Sequence, residues 1–242
     1  MILLDPAARP VIAHRGASGQ FPENTLLAFR EAVAQGADAV ELDVRLTLDG
    51  VPVVMHDATL DRTTDGVGGV GESSLEALSA LDAGRGEPVP TLEAVLEALP
   101  RTPLLVEVKE RAATPAVVRV ARAMGAGARV ILGSFDSRAL KTARGAGLAT
   151  VATRPETAAF WVASRVGWAF IGRKYSAFSV PEYEGRLRVV DQRFVRLAAR
   201  TGKPVHVWTV DDPGTALRLR SFGVAGIVTN FPDRMVGLGA GG

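Results

Sequence analysis

Two histidines stand where short apolar runs give way to turn-forming residues. His14 and Arg15 follow the run 11–13 and precede a glycine, whereas His56 follows the extended stretch 52–55. Runs this short suit strands better than helices, so both imidazoles are expected where a strand opens into a loop. A lone histidine is most often a hydrogen-bonded structural imidazole. Two of them at one edge of a sheet can instead divide the proton transfers of an acid/base reaction.

Carboxylates occupy similar positions. Glu41 and Asp43 alternate with apolar residues in the stretch 39–46, and Glu107 and Lys109 are also two positions apart. Residues two apart on a strand share a face, so each pair should point the same way. A Glu-x-Asp pair alone fits a solvated strand face, but the apolar residues around this one mark a central strand. Carboxylates crowded in an apolar site repel each other unless a cation lies between them.

The absence of cysteine in the chain narrows the choice of cation. Without thiolates, a metal must be held by carboxylates, histidines or carbonyls. Three carboxylates suit a hard divalent cation, and we therefore expect Mg²⁺ or Ca²⁺.

The elements that must position these residues alternate along the chain between strand-like and helix-like patterns. The predicted strands are 11–14, 39–46, 52–56, 104–109, 129–135, 149–153, 168–171, 204–210 and 226–229. The predicted helices are 24–35, 93–99, 115–124, 137–144, 157–166, 192–200 and 215–221.

About eight βα units in a chain of 242 residues predict an α/β fold, a parallel TIM (β/α)₈ barrel. The alternative is a doubly wound open sheet, which the missing Gly-x-Gly-x-x-Gly turn after the first strand disfavours. Residues 57–86 leave the rhythm and are rich in Gly, Thr, Ser and Asp. We interpret them as a small insertion after the second strand, at about 57–88, within a single domain spanning 1–242.

Composition excludes several classes of protein. The formal net charge is only +2, and charges of both signs are mixed without a basic block, which argues against nucleic-acid binding. The first residues lack the basic and apolar regions of a signal peptide, and no apolar run approaches the ~20 residues that span a bilayer. We expect a soluble, cytoplasmic protein without a transmembrane segment.

The ordered set of motifs resembles the glycerophosphodiester phosphodiesterase family. The set comprises 14–16 (HRG), 22–25 (PENT), 41–44 (ELDV), 47–50, 53–57, 60–66, 107–109 and 206–210, and it ends with 226–233. Each motif is weak alone, but their order and spacing agree over nearly the whole chain. The resemblance implies a TIM barrel with a small insertion and a metal-dependent hydrolase. Its substrate would be a small-molecule glycerophosphodiester, split into sn-glycerol 3-phosphate and an alcohol in lipid and glycerol metabolism.

The resemblance also implies a role for each matching residue. His14 and His56 would be the general acid/base pair, and Glu41, Asp43 and Glu107 the metal ligands. Arg15 and Lys109 would bind the phosphate, and Trp208 would form an aromatic wall beside the glycerol moiety. The motif match assigns the third histidine, His206, no catalytic part, and we interpret it as structural. Which histidine is the acid, which alcohol is preferred, whether water or a neighbouring hydroxyl attacks, and the oligomeric state all remain open.

Three other functions fit parts of this pattern. A sugar isomerase or aldolase also uses acids and a lysine at strand ends, but it does not need paired histidines beside a phosphate site. A catalytically silent binding module would be expected to have lost a histidine or Glu107. The closest alternative is a lysophospholipase D-type phosphodiesterase, which needs an apolar rim at the site. Segment 172–188 is expected to shape the leaving-group side, and five aromatic residues could supply such a rim or, as we favour, pack in the core: Phe160, Trp161, Trp168, Phe170 and Phe178.

Overall fold

The structure is a computed structural model that describes residues 1–167 and 174–238. Its strands are β1 (Val11–His14), β2 (Ala39–Leu46), β3 (Pro52–Val54), β4 (Leu104–Val108), β5 (Val130–Gly133), β6 (Ala149–Thr150), β7 (Phe178–Pro181), β8 (Tyr183–Glu184), β9 (Leu187–Arg188), β10 (Val205–Trp208) and β11 (Gly226–Thr229). Its α-helices are α1 (Leu26–Ala34), α2 (Leu75–Ser79), α3 (Leu92–Ala98), α4 (Thr114–Ala123), α5 (Ser137–Gly145), α6 (Arg154–Val166), α7 (Gln192–Arg200), α8 (Pro213–Ser221) and α9 (Pro232–Met235). Short 3₁₀ helices cover Ile2–Leu4, Val70–Glu72, Arg111–Ala113 and Ala126–Ala128. Across the two described ranges, no helix combines the length and hydropathy needed to cross a membrane.

Eight of the described strands form a ring of parallel neighbours. Their order is β6-β5-β4-β2-β1-β11-β10-β7. A parallel bridge between Val151 and Ala177 joins the two outer strands of this order and closes the ring. Strand β3 pairs antiparallel with β2 and lies outside the ring. The predicted TIM barrel is therefore confirmed, and a doubly wound open sheet is excluded because the two edges meet.

Strand β2 shows how the sequence pattern builds the barrel wall. Val40, Leu42 and Val44 are completely buried. Successive side chains on a strand point to opposite faces, so Glu41 and Asp43 share the other face. The alternation read from the sequence thus separates the packing residues of this strand from its acidic ones.

The strand assignment differs from the sequence analysis between α6 and α7, where β7, β8 and β9 were not predicted. The predicted strand 168–171 lies outside the described residues, and the barrel strand found nearby is β7, which the sequence analysis did not predict. Only Phe178 and Val180 of this four-residue strand are buried, and they alternate with Ser179 and Pro181. So short a strand, ending in proline, carries little pattern, and its pairing with β10 decides its conformation.

Aromatic packing holds one side of the barrel together. Phe160 on α6, Phe178 on β7 and Phe194 on α7 are fully buried. Their ring centroids lie 4.6, 5.2 and 4.9 Å apart, in tilted and edge-on geometries that aromatic pairs prefer. Phe160 and Phe178 therefore pack in the core, as expected, whereas Trp161 is only partly buried. Trp168 and Phe170 lie outside the described residues.

The insertion follows β3 and returns to the barrel at α3. A small apolar cluster joins the insertion to β3 and to the segment before α3, and it contains Val53, Met55, Leu60, Val70, Leu78, Ala83 and Val89. Two arginines tie the insertion to the loop after β1. Arg85 donates to the carbonyl oxygen of Gln20 at 2.8 Å, and Arg62 donates to the carboxylate of Glu23. The insertion is thus attached to the segment that carries Arg15, on the same side of the barrel.

The third histidine lies inside the barrel wall, away from the predicted site. His206 on β10 is completely buried, and its Nε2 atom lies 2.9 Å from the carbonyl oxygen of Leu3. A Cβ atom at Gly226 on the adjacent strand would collide with its ring, so the glycine makes room for the imidazole. Burial lowers the pKa of His206 from 6.5 to about 4. The ring is therefore neutral in the folded protein near pH 7.

This burial predicts an acid-sensitive contribution to stability. In the unfolded chain this histidine becomes protonated below pH 6.5, whereas in the folded protein it stays neutral until about pH 4. Stability from this residue is therefore complete above pH 6.5 and is lost as the pH falls towards 4. Between about pH 7 and about pH 5, the free energy of unfolding should fall in the original chain. In His206→Gln the fall should be smaller by about 2 kcal/mol. Urea denaturation at the two pH values measures this difference, and parallel pH profiles would contradict it.

Candidate active site

A cavity of about 530 Å³ opens at the carboxyl ends of the barrel strands. Seven of the eight candidate residues line it, namely His14, Arg15, Glu41, His56, Glu107, Lys109 and Trp208. The eighth, Asp43, is 1% exposed and contacts both Arg15 and Lys109. The structure therefore brings together all the residues that the motifs had singled out, although they are spread over some 190 positions of the chain.

Strand register explains why the three carboxylates meet. His14 on β1 is level with Glu41 on β2, and Asp43 on β2 is level with Glu107 on β4. Oxygen atoms of Glu41, Asp43 and Glu107, one from each residue, all lie within 4.8 Å of one another. Oxygen ligands at this spacing could hold a hard divalent cation.

Burial gives these carboxylates unequal protonation behaviour. Glu41 is 6% exposed, and burial, together with the charges of Asp43 and Glu107, raises its pKa well above the usual value. Burial would also raise the pKa of Asp43, but Lys109 and Arg15 outweigh it and hold that pKa below the usual value. The charge of Asp43 is thus compensated by neighbouring cations, whereas Glu41 keeps a raised pKa.

Two cations flank Asp43. The Nζ atom of Lys109 lies 2.8 Å from one carboxylate oxygen of Asp43 and 2.7 Å from Glu107. The Nε atom of Arg15 lies 3.1 Å from the other oxygen of Asp43, and its Nη1 lies 2.9 Å from Glu23. Both cations border the cavity, where an anionic group of a ligand could reach them.

The backbone after β1 is bent to aim Arg15. Arg15 adopts a φ of +56° and Gly16 a φ of +81°, both in the left-handed region. A side chain at Gly16 would also collide, because a Cβ there would lie 2.7 Å from backbone atoms of Ala28. In this conformation the amide of Arg15 donates to the Glu41 carboxylate at 3.0 Å. Gly16 thus meets a conformational requirement, and Arg15 is held in a conformation that is uncommon for a residue with a side chain.

His14 is oriented by residues from the opposite end of the chain. Its Nδ1 atom lies 2.7 Å from Oδ1 of Asn230, and Nδ2 of Asn230 donates to Asp211 at 2.7 Å. Because Asp211 accepts from the amide nitrogen, the amide oxygen must face His14, so Nδ1 carries the proton. Nε2 is then free to accept a proton and lies 4.0 Å from Glu41. Burial lowers the pKa of His14, and the bond to Asn230 opposes this shift.

His56 lies at the end of a series of hydrogen-bonded acidic and basic side chains. Its Nδ1 atom lies 2.6 Å from Asp57, and Asp57 accepts from Nε of Arg62, also at 2.6 Å. Arg62 in turn donates through two nitrogens to Glu23, both at 2.8 Å. Glu23 pairs with Arg15, so the histidine and the phosphate-binding candidate are connected. Hydrogen bonds and charge from Arg62, with help from His56, keep the pKa of Asp57 below its usual value.

Sequence reasoning quoted several of these supporting residues without giving them a part in the site. Glu23, Asp57 and Arg62 stand in the motifs, and Asn230 lies within the last motif, 226–233. Asp211 stands in none of them. The available signal was their position beside turns at strand ends, which does not say which histidine each one contacts.

The far side of the cavity is apolar. Trp208 packs edge-on against Phe135, with ring centroids 6.4 Å apart and planes at 80°. We call the surface that begins at Phe135 the apolar wall, and it consists of Phe135, Ala158, Trp161, Val162, Leu187 and Val189. Leu187 belongs to the β8–β9 hairpin, within the segment that was expected to shape the leaving-group side. The cavity therefore has a charged half over β1, β2 and β4 and an apolar half bordered by α6 and the hairpin.

Comparisons with known proteins agree with this geometry. The profile of the glycerophosphoryl diester phosphodiesterase family matches residues 14–234. The glycerophosphodiester phosphodiesterase of Caldanaerobacter subterraneus subsp. tengcongensis is 32% identical over 94% of this chain and 96% of its own. A crystal structure of glycerophosphodiester phosphodiesterase from Agrobacterium tumefaciens has a TM-score of 0.80 at 28% identity, covering 94% of this chain and 98% of that one.

A second similar structure was solved with a bound product. An Oleispira antarctica phosphodiesterase in complex with the product sn-glycerol-3-phosphate has a TM-score of 0.78 at 28% identity, covering 94% of this chain and 95% of that one. The family profile begins at His14, at the end of β1, and continues beyond β11, so it contains every candidate residue. The chain therefore belongs to the glycerophosphoryl diester phosphodiesterase family and is a phosphoric diester hydrolase.

Proposed function

We propose that the chain hydrolyses glycerophosphodiesters to sn-glycerol 3-phosphate and an alcohol, using a divalent cation and the imidazoles of His14 and His56. The observation that carries this proposal is the meeting, in one cavity, of two imidazoles, three carboxylates and two cationic side chains. The product complex of the Oleispira antarctica relative supports the substrate class. Release of glycerol 3-phosphate from several glycerophosphodiesters, assayed with and without added metal, tests it directly.

The residues present fit a divalent cation. Three oxygen ligands, one each from Glu41, Asp43 and Glu107, lie within 4.8 Å of one another. The raised pKa of Glu41 shows that its negative charge is poorly compensated by the protein alone. We propose these three as the ligands and Mg²⁺ or Ca²⁺ as the metal, since both prefer oxygen. When bound, the cation would neutralise charge that develops on the phosphoryl oxygens.

Arg15 and Lys109 are proposed to bind the phosphate. A phosphodiester anion repels nucleophiles, and fixed positive groups beside it reduce that repulsion as charge builds in the transition state. Both side chains are already held in place by Asp43, at 3.1 and 2.8 Å, so little reorganisation is needed when substrate binds. Trp208, at the border between the two halves of the cavity, is proposed to pack against the glycerol moiety.

The partners of the two histidines favour different roles. We infer that His14 is the base, because its partner is the neutral amide of Asn230 and its Nε2 is left as a proton acceptor. His56 is inferred to be the acid, because the carboxylate of Asp57 offers the partner that a positively charged proton donor requires. His14 would take the proton from the attacking oxygen, of water or of a neighbouring substrate hydroxyl. His56 would give a proton to the oxygen of the departing alcohol.

Two further expectations enter the proposal. We propose that residues 1–242 form one domain with the insertion at about 57–88, supported by the bonds of Arg62 and Arg85 to the loop after β1. A lysophospholipase D-type reaction on lysolipids is the second candidate function. The apolar wall favours it, and the same charged half of the cavity would serve it. A cytoplasmic location and the absence of nucleic-acid binding stay predictions from composition.

Metal removal should abolish turnover. The carboxylates supply oxygen ligands only, so a chelator should remove the cation, and Mg²⁺ or Ca²⁺ should restore the activity. Glycerol 3-phosphate release before and after dialysis against a chelator measures this. Full activity in metal-free buffer would contradict the proposed cofactor.

Glu41→Gln should weaken metal binding without destabilising the metal-free protein. Since the pKa of Glu41 is raised on folding, the ionised form favours the unfolded chain, and metal-free stability falls as the pH rises past its unfolded value. Near neutral pH the neutral glutamine should therefore leave thermal stability equal or higher. Metal affinity, measured by calorimetry, should fall by about tenfold or more.

Glu97→Gln, an exposed change of the same charge on α3, is the matched control and should alter neither property. A large loss of metal-free stability in Glu41→Gln with intact metal binding would show instead that Glu41 is structural.

Turnover of the original chain should have a bell-shaped pH profile, because one histidine must be neutral and the other protonated. Loss of either histidine should lower turnover by a factor of about 10² or more. A glycerophosphodiester whose leaving group is a nitrophenol should partly restore the turnover of His56→Ala, because a nitrophenolate departs without a proton. It should not rescue His14→Ala, because the attacking oxygen still needs a base. His206→Gln removes the third histidine and should leave turnover near normal. Equal responses of the two alanine variants to leaving-group pKa would refute the separate roles.

A further inference from the structure

Large apolar side chains at the mouth of the cavity are exposed to solvent. Phe135 is 52% exposed, Val162 is 58% exposed and Leu187 is 48% exposed. They come from three different elements, namely the segment after β5, helix α6 and the β8–β9 hairpin. Exposed apolar groups that gather around one opening are typical of a binding groove.

Helix α6 turns one complete face towards this groove. The cavity-lining residues of the helix are Arg154, Thr157, Ala158, Trp161 and Val162. Their spacing of three and four positions places them on one side of a helix. The neighbouring Phe160 instead points into the core against Phe178. The helix therefore presents a second face to the cavity, on which Ala158, Trp161 and Val162 are the apolar residues, and Val162 on this face is 58% exposed.

The apolar wall is continuous with the charged half of the cavity. The same 530 Å³ space includes His14, Arg15 and Lys109 at one end and Val162 and Leu187 at the other. A phosphate held by Arg15 and Lys109 would therefore direct a substituent of the diester along the wall.

The charges in the apolar half argue against a cationic headgroup. Among the described lining residues, Glu184 is the carboxylate on this side, and it pairs with Arg154 at 3.6 Å. The guanidinium of Arg154 also lies over Phe135, at 4.6 Å from the ring centroid. Arg165 lies 3.8 Å from the ring centroid of Trp161. Arginines already occupy these aromatic faces, so a quaternary ammonium would meet positive charge there.

We propose that the apolar wall binds a hydrocarbon chain carried by the phosphodiester, either as an alkyl chain on the leaving alcohol or as an acyl chain on the glycerol. The inference rests on the proposed function, because the phosphate end of the cavity anchors the substrate. Burial of the chain removes both its own surface and that of Phe135, Val162 and Leu187 from water.

Alkyl phosphates test the wall separately from turnover, since they lack a diester bond. Ethyl, butyl and hexyl phosphate are titrated calorimetrically into the protein in buffer containing Mg²⁺, with glycerol 3-phosphate as competitor. Full burial of one methylene should lower Kd by about fourfold, so hexyl phosphate, with four more methylenes, should bind at least about tenfold more tightly than ethyl phosphate even when its chain is only partly buried. A Kd that does not depend on chain length would overturn the proposal.

Val162→Asp should remove most of this dependence on chain length by placing a charge on the wall. Val166→Asp is the matched control, because Val166 lies on the same helix, is 70% exposed and is outside the cavity lining. Leu187→Asp repeats the test from the hairpin should Val162→Asp fail to fold. If the two wall variants retain the chain-length effect of the control, the proposal is wrong.

Turnover then identifies which part of the substrate carries the chain. Glycerophosphoethanol is compared with glycerophosphohexanol and with a hexanoyl lysophosphatidylethanol. A higher kcat/KM for one long substrate, lost in Val162→Asp, assigns the chain to that side. Equal values for all three would contradict the inference while leaving the phosphodiesterase function intact. Chain-dependent binding of alkyl phosphates without any turnover would support the wall and contradict the proposed function.

Discussion

The structure of the site depends on burying carboxylates where the barrel interior meets the cavity. A buried carboxylate is costly unless positive charge or hydrogen bonds compensate it. Asp43, 1% exposed, is compensated by Arg15 and Lys109, and this pairing fixes both cations beside the cavity. Glu41 accepts a hydrogen bond from the amide of Arg15, but burial beside Asp43 and Glu107 still raises its pKa. Asp43 is thus compensated by side chains of the protein, whereas Glu41 is the carboxylate that a bound divalent cation would compensate under the proposed function.

The two histidines are supported by different parts of the fold, and their proposed roles follow from that difference. His14 depends on Asn230 and Asp211, which closure of the barrel brings beside β1. His56 depends on Asp57 and Arg62, which belong to the insertion. Because Arg62 also bonds Glu23, the insertion couples the position of His56 to that of Arg15. The insertion therefore acts as a support for the site as well as an addition to the barrel.

The cavity divides its chemistry between two sectors of the ring. Strands β1, β2 and β4 and the segment after β3 carry the candidate catalytic, metal-binding and phosphate-binding groups, whereas α6 and the β8–β9 hairpin present mostly apolar groups, beside the Arg154–Glu184 pair. A phosphodiester has the same division, with a charged centre and organic substituents on either side. Trp208 and Phe135 stand where the sectors meet, in edge-on contact. Recognition of the reacting phosphate and selection of the substituent can thus vary independently on one scaffold.

Residue type and local periodicity in the sequence determined the barrel, the positions of most elements and which charged residues lie near the ends of the strands. These features are local, because strands and helices have characteristic spacings and parallel strands end at a common edge. Strand β7, with two buried residues, lacked such a pattern, and only its pairing with β10 decided it. The bond between His14 and Asn230 joins residues 216 positions apart, and the apolar wall combines three elements. A sequence pattern states which face a side chain occupies, but only the closed tertiary structure decides which partner that face meets.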